Sequence, residues 1–396
     1  MKKQLLSTSA LALGVALAAP ASAQEWKMNW GGFYNSHVGY VSVDSNTPAH
    51  AGADFDGVDV FSNTEIHFKP SVTLDNGLTF GVDVQMEGTN NGGGATGIDE
   101  SFLTIKGDTL GKIDLGMENS AGYKLTVGAP QVKGGIGINS PSISGFVPIS
   151  TGAGGNLPWL FRDSGISSYA EVLGNNDVPR ISYYTPSFNG LTLGVSYAAT
   201  GNAPAIAQAS VAGNNNAGNN FGVNRNVGVT DIFDIGLAYS QSFNGVDLDL
   251  SARWGTAESN VVGTDDPEVW NIGASVGFNG FVIGGGYGEN DNGGLRNFDS
   301  EGWSLGVTYD IAGPWSIGFD TYQGEYKGIG AASGDTAEYE AYQLVGSRSL
   351  GAGVTWAVYA AYVEGSVNAN LGGTFGGNAN TEVEGTVIGT SINLSF

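Results

Sequence analysis

The sequence predicts an all-β chain, a 16-stranded antiparallel transmembrane β-barrel, and three observations carry that prediction. Apolar side chains recur at every second position in segment after segment, the period of a strand with two unlike faces. Tight turns and long polar loops alternate strictly along the chain, as in an up-and-down barrel. Composition is the third: 65 of 396 residues are glycine and only 13% are charged, yet 11% are aromatic. So many aromatics exclude a disordered chain. Past the N-terminal region no run of 18 apolar residues occurs, which excludes a membrane-crossing helix and leaves a closed barrel as the membrane solution.

The elements follow in chain order. "MKK", the apolar "LLSTSALALGVALAAP" and the small-residue "ASA" have the three parts of a secretory signal peptide, expected over residues 1–23, with the barrel over 24–396. "LTFGVDVQME" sets Leu78, Phe80, Val82, Val84 and Met86 against Thr79, Gly81, Asp83, Gln85 and Glu87. "VDLDLSARW" sets Val246, Leu248, Leu250, Ala252 and Trp254 against Asp247, Asp249, Ser251 and Arg253. "WSLGVTYDI", "PWSIGFD" and the final "EGTVIGTSINLSF" repeat the pattern, the last with Ile388, Ile392, Leu394 and Phe396 on one face. A second face of Asp, Ser and Gly suits a water-filled interior and not a packed sandwich core. Seven short turns, at 75–77, 108–111, 187–190, 243–245, 278–280, 312–314 and 351–353, are rich in Asn and Gly, residues that supply the positive φ of tight hairpins. Eight long polar segments lie between them, near 44–58, 88–98, 119–178, 200–231, 258–267, 290–300, 326–339 and 367–384. The hairpin period of about 40 residues also fits a β-propeller, but no blade signature repeats.

Charge and chemistry narrow the function. The net charge is −23, and two units more negative once Lys2 and Lys3 leave with the signal peptide; nucleic acid calls for a basic face instead. There is no cysteine, hence no disulfide, thiolate metal site or Cys nucleophile. The three histidines, His37, His50 and His67, lack zinc spacing, and nothing marks a serine as the nucleophile of a hydrolytic triad. "GGGYGE" at 284–289 precedes no helix, so it is not a dinucleotide cradle. "GTDDPE" (263–268) and "ENDNGG" (289–294) offer oxygen ligands for Ca²⁺ without the spacing of a known calcium loop. No other cofactor is expected.

Four segments carry a family resemblance: "WGGFYNSHVGYV" (30–41), "SFLTIKGDTLGKIDLGMENSAGYK" (101–124), "RISYYTPSFNGLTLGVSY" (180–197) and "SINLSF" (391–396). In this order and spacing the chain resembles the general diffusion porins of Gram-negative bacteria, of the alphaproteobacterial type, over essentially its whole mature length. The resemblance implies an outer-membrane barrel, a homotrimer in contact with lipopolysaccharide and outer-membrane lipid, and passive diffusion of ions and small hydrophilic solutes. It also implies that the third long loop, 119–178, folds into the barrel and narrows it, and that Phe396 is the residue the assembly machinery reads. From the residues an external lid or antigenic loop is the alternative, but 60 residues without strand pattern are uncommon unless functional. Apolar Ile143, Phe146, Val147, Trp159, Leu160 and Phe161 give it something to pack with.

Charged side chains at a constriction set ion preference. The acidic candidates are Glu118, Asp163, Glu171 and Asp177; on the wall, Asp83, Lys69, Lys106 and Arg180 alternate toward the interior. Arg180 falls where the family has an arginine, but Met117 stands where many relatives carry one, and Asp99 and Glu100 lie near another basic position. Carboxylates dominate, so a cation-preferring pore is expected. The competing readings are a substrate-specific channel with an aromatic binding track and a plugged structural barrel; no plug sequence precedes the first strand.

Overall fold

Alternation is realised as strands nearly everywhere that it was read. The computed structural model describes residues 25–47, 50–88, 97–149, 171–175, 177–201, 228–295, 299–327, 336–368 and 381–396; the signal segment 1–23, Asp163 and the apolar trio Trp159, Leu160 and Phe161 lie outside them. The strands are β1 (Lys27–Ser45), β2 (Gly57–Thr73), β3 (Thr79–Glu87), β4 (Ile98–Gly107), β5 (Gly111–Glu118), β6 (Val178–Tyr184), β7 (Leu191–Thr200) and β8 (Val229–Phe243). They continue as β9 (Val246–Ser259), β10 (Glu268–Phe278), β11 (Phe281–Asp291), β12 (Asp299–Asp310), β13 (Trp315–Lys327), β14 (Thr336–Gly351), β15 (Val354–Asn368) and β16 (Thr381–Ser395). Each pairs antiparallel with its chain neighbours, and β1 pairs with β16 to close the barrel.

The seam runs from Phe33 opposite Ser395 to Ser45 opposite Val383. Beyond it Gly32 and Phe396 exchange backbone hydrogen bonds of 3.0 and 3.2 Å. Closure leaves no unpaired edge, the condition for a sheet in hydrocarbon. All seven short connections lie at one end. Asn244–Gly245 and Asn279–Gly280 both take φ near +50° and +81°, the type I′ turn whose twist matches the strands it joins.

The outward face is an apolar band of side chains such as Leu250, Leu305, Val307, Leu344, Val358 and Ile388. Toward the long-loop end it gives way to Tyr287, Trp303, Tyr342 and Tyr362, and then to carboxylates. Register sets these directly opposite one another: Glu289, Glu301, Glu325 and Glu338 across β11 to β14, then Glu340, Glu364, Glu384 and Asp44 across β14 to β1. Opposed like charges weaken a sheet. Here tyrosine hydroxyls relieve them: Tyr287 donates to Glu289 at 2.6 Å and Tyr362 to Glu364 at 2.7 Å, while Lys327 stands 2.6 Å from Glu301.

From β5 the chain enters a one-turn helix, α1 (Ala121–Lys124), capped by Ser120. It then runs past the opposite, polar face of strand after strand. The Val127 amide donates to Ser251, the Ala129 amide to Ser304 and the Gln131 side chain to Asp320; Gly134 O accepts from Ser391. Farther on, Ile136, Ile138, Ile143, Phe146, Val147 and Ile149 form one buried cluster with Val41, Phe61, Tyr339, Val345, Tyr359 and Val387. Tyr339 completes it by donating its hydroxyl to Ile138 O at 2.5 Å. Ile143 is fully buried, so Ile143→Ala is expected to cost about 2–5 kcal/mol of this packing. Limited proteolysis should then cut within 121–149 faster, with the barrel itself still intact.

Candidate functional site in the barrel interior

Ionisable side chains concentrate on the inward faces of β2 to β6. His67, Lys69 and Lys112 among them are held close to carboxylates. Lys69 Nζ stands 3.2 Å from Asp83, and His67 bridges Glu65 at 2.9 Å and Asp83 at 3.3 Å. Lys112 pairs with Asp114 at 2.7 Å, and Lys124, from α1, pairs with the fully buried Glu118. Glu100 accepts from Gln85 at 2.8 Å and from Asn119 at 2.6 Å. Higher on the wall, toward the long loops, carboxylate oxygens of Glu65, Glu87 and Asp99 lie within 4.8 Å of one another. Lysines instead gather toward the short-turn end, where Lys69 and Lys106 share a depression of about 240 Å³ with Asp83 and Thr104. An ion arriving from the long-loop end therefore meets carboxylates first.

The sequence candidates divide between pore wall and loop root. Asp83, Lys69 and Lys106 face the interior space. Arg180 also points inward but is buried, its Nη2 donating to Asn175 O at 2.5 Å at the returning end of the loop. Asp177 lies beside it, in the loop, with its carboxyl pushed up to about 8 by burial first and then by Asp99, Glu100 and Glu171. Glu171 is buried against Arg253. Arg253 and Asp234 form an ion pair that sequence reasoning missed: both face inward and both are almost completely buried. Alternation placed Arg253 on the inward face, but nothing local to it names its partners.

In the two acidic loops offered for Ca²⁺, carboxylates accept from backbone amides. Asp266 accepts from the Ser259 amide and Asp291 from the Gly293 amide, both at 2.8 Å. The groups of three carboxylates among the described residues are elsewhere: Glu65, Glu87 and Asp99 on the inner wall, and Glu364, Glu382 and Glu384 on the outer rim.

A closed barrel with an apolar outside and a polar, charged inside defines a transmembrane channel protein. The Gram-negative porin family model matches residues 7–386, and the chain belongs to that family. Its place is therefore the bacterial outer membrane. No curated protein matches the chain. Among solved structures, the anion-selective porin from Comamonas acidovorans is similar at a TM-score of 0.58 and 18% identity, with 94% of this chain and 100% of that chain covered. Salmonella typhi OmpF in complex with daunomycin gives 0.57 and 14%, covering 94% and 98%. The trimer form of Vibrio cholerae OmpT gives 0.55 and 11%, covering 94% and 99%. At such identities these likenesses speak for the barrel and not for its selectivity.

Proposed function

We propose that the protein is a cation-preferring, passive diffusion channel for ions and small hydrophilic solutes, narrowed by the inward course of its third loop. The carrying observation is the charge balance of the wall. Lys69, Lys112 and Lys124 each stand against a carboxylate, while Glu65, Glu87 and Asp99 gather as an acidic group above them, joined to Asp83 through His67. In a wide pore such an excess concentrates counter-ions without binding them tightly. The loop's hydrogen bonds to inward-facing side chains support the narrowing. Purified protein in liposomes is expected to let monosaccharides and amino acids equilibrate without saturation; saturable uptake of one solute would favour the substrate-specific alternative instead.

A homotrimer fits the trimeric form recorded for the Vibrio relative and is tested by heat-dependent migration on gels. Contact with lipopolysaccharide belongs to the outer rim, where aromatic side chains sit just below a belt of carboxylates that meets its anionic groups through divalent cations. No cofactor is needed for this function. The kinship with the alphaproteobacterial members rests on the four segments quoted above.

Selectivity should also respond to pH. Asp177 holds its proton at neutrality because burial and the neighbouring Asp99, Glu100 and Glu171 disfavour its charged form, and it ionises as pH passes about 8. Ionisation adds negative charge at the narrowing. The cation-over-anion permeability ratio is therefore expected to rise between neutral and mildly alkaline pH, and Asp177→Asn to flatten that rise.

A further inference from the structure

We propose that Arg253 is the positioning residue of the pore-narrowing loop, a single guanidinium that ties both the loop's departure and its return to the barrel wall. This rests on the reading that the loop narrows the pore. Its Nε donates to Asp234 Oδ2 at 2.8 Å and its Nη2 to Glu171 Oε2 at 2.7 Å, with Ser120 Oγ 3.2 Å from the same Nη2. Each carboxylate then uses its second oxygen on the loop root. Glu171 Oε1 accepts the Ser120 amide at 2.7 Å, and Asp234 Oδ1 accepts the Gly122 amide at 2.6 Å. The Ala121 amide donates to Ser196 Oγ at 3.1 Å. Two amides at the start of the loop, those of Ser120 and Gly122, and one side chain at its end, Glu171, thus converge on one ion cluster. The described loop residues 123–149 run on from this point of attachment.

The fit is steric as well as electrostatic. Gly122 lies so close to the wall that a Cβ there would come within 2.0 Å of Asp234 Oδ1, and a Cβ on Gly236 of the wall within 2.6 Å of Gly122 Cα. Backbone sits on backbone at the point of attachment. The Arg253 side chain has no solvent exposure, and Asp234 and Glu171 have 1% and 2%. Water therefore does not compete for these bonds, and the planar fork of arginine serves two carboxylates as the single ammonium of lysine would not. A charged group this costly to bury is unneeded for a barrel wall, whose own hydrogen bonds are complete. Its use is to hold the loop.

The test uses the full-length trimer in planar bilayers. Arg253→Gln is expected to raise open-channel current noise several-fold and to relax the size limit for neutral sugars, while the heat stability of the folded barrel on gels changes little. Arg253→Lys, which keeps the charge and loses the fork, should fall between the two. If Arg253→Gln inserts poorly, Glu171→Gln reports the same release at the loop's returning end with the arginine still in place. Unchanged noise and size limit in both Arg253→Gln and Glu171→Gln would overturn the proposal. A variant lacking residues 131–149 separates the two levels. If that shortening widens the pore while the point variants do not, the clamp fails alone; if it leaves conductance unchanged, the narrowing itself fails and takes the clamp with it.

Discussion

Replacing Glu65 and Glu87 by Gln and Asp99 by Asn together is expected to lower the cation-over-anion permeability ratio roughly threefold at 0.1 M salt. Three carboxylates this close do not all ionise at neutral pH, so the group carries about two unit charges. By Coulomb's law these contribute about 1.2 kcal/mol at about 7 Å from a passing ion in water, which screening over a Debye length of about 10 Å cuts to about 0.6 kcal/mol, roughly threefold for the cation alone. The effect should shrink toward nothing at 1 M salt, where the Debye length is about 3 Å. Glu338→Gln with Glu340→Gln is the matching control. Those carboxylates belong to the outer rim, on the far side of the wall, and their loss should leave the ratio as it was. An equal fall in both variants would mean that the selectivity belongs to the mouth and not to the group at Glu65, Glu87 and Asp99.

Deleting Phe396 is expected to reduce the amount of membrane-inserted protein several-fold with no change in the conductance of the channels that do form. The residue contributes little to the barrel itself: one backbone pair with Gly32 and a ring that is 64% exposed. The seam from Phe33–Ser395 to Ser45–Val383 survives without it. Its loss is therefore expected to leave the barrel wall closed, so a fall in insertion would report on recognition during assembly. Quantifying protease-resistant trimer in outer-membrane fractions, beside single-channel recordings of refolded deletion protein, separates the roles. Normal insertion would contradict recognition of Phe396, and an altered conductance would show that the seam depends on it.

The barrel was legible because its signals are local. Period-two alternation and Asn-Gly turns act within one hairpin, and seven turns between eight long connections fix the strand number. Boundaries were less legible, and for a physical reason. The first long segment was read as 44–58, yet β1 reaches Ser45 and β2 begins at Gly57; the last was read as 367–384, yet β16 starts at Thr381. The strands run on through Glu382, Glu384 and Asp44, charged residues that look like loop but pair across the outer rim. Lumen orientation was read correctly for Asp247 and Asp249, because alternation alone decides it. What alternation cannot supply is a partner. Arg253 meets Asp234 19 residues away, Glu171 82 away and Ser120 133 away, contacts made only once the barrel has closed around the loop. The apolar loop residues Ile143, Phe146 and Val147 were visible as something that must pack, but Ile136 and Ile138, set among glycines, were not.

The most direct test of the central claim is the zero-current potential of the purified trimer in planar bilayers under a potassium chloride gradient at neutral pH. A cation-preferring pore requires the dilute side to become positive, with stable ohmic steps in single-channel records. A dilute side that becomes negative, as an anion-preferring pore gives, or a membrane that shows no conductance, would contradict it.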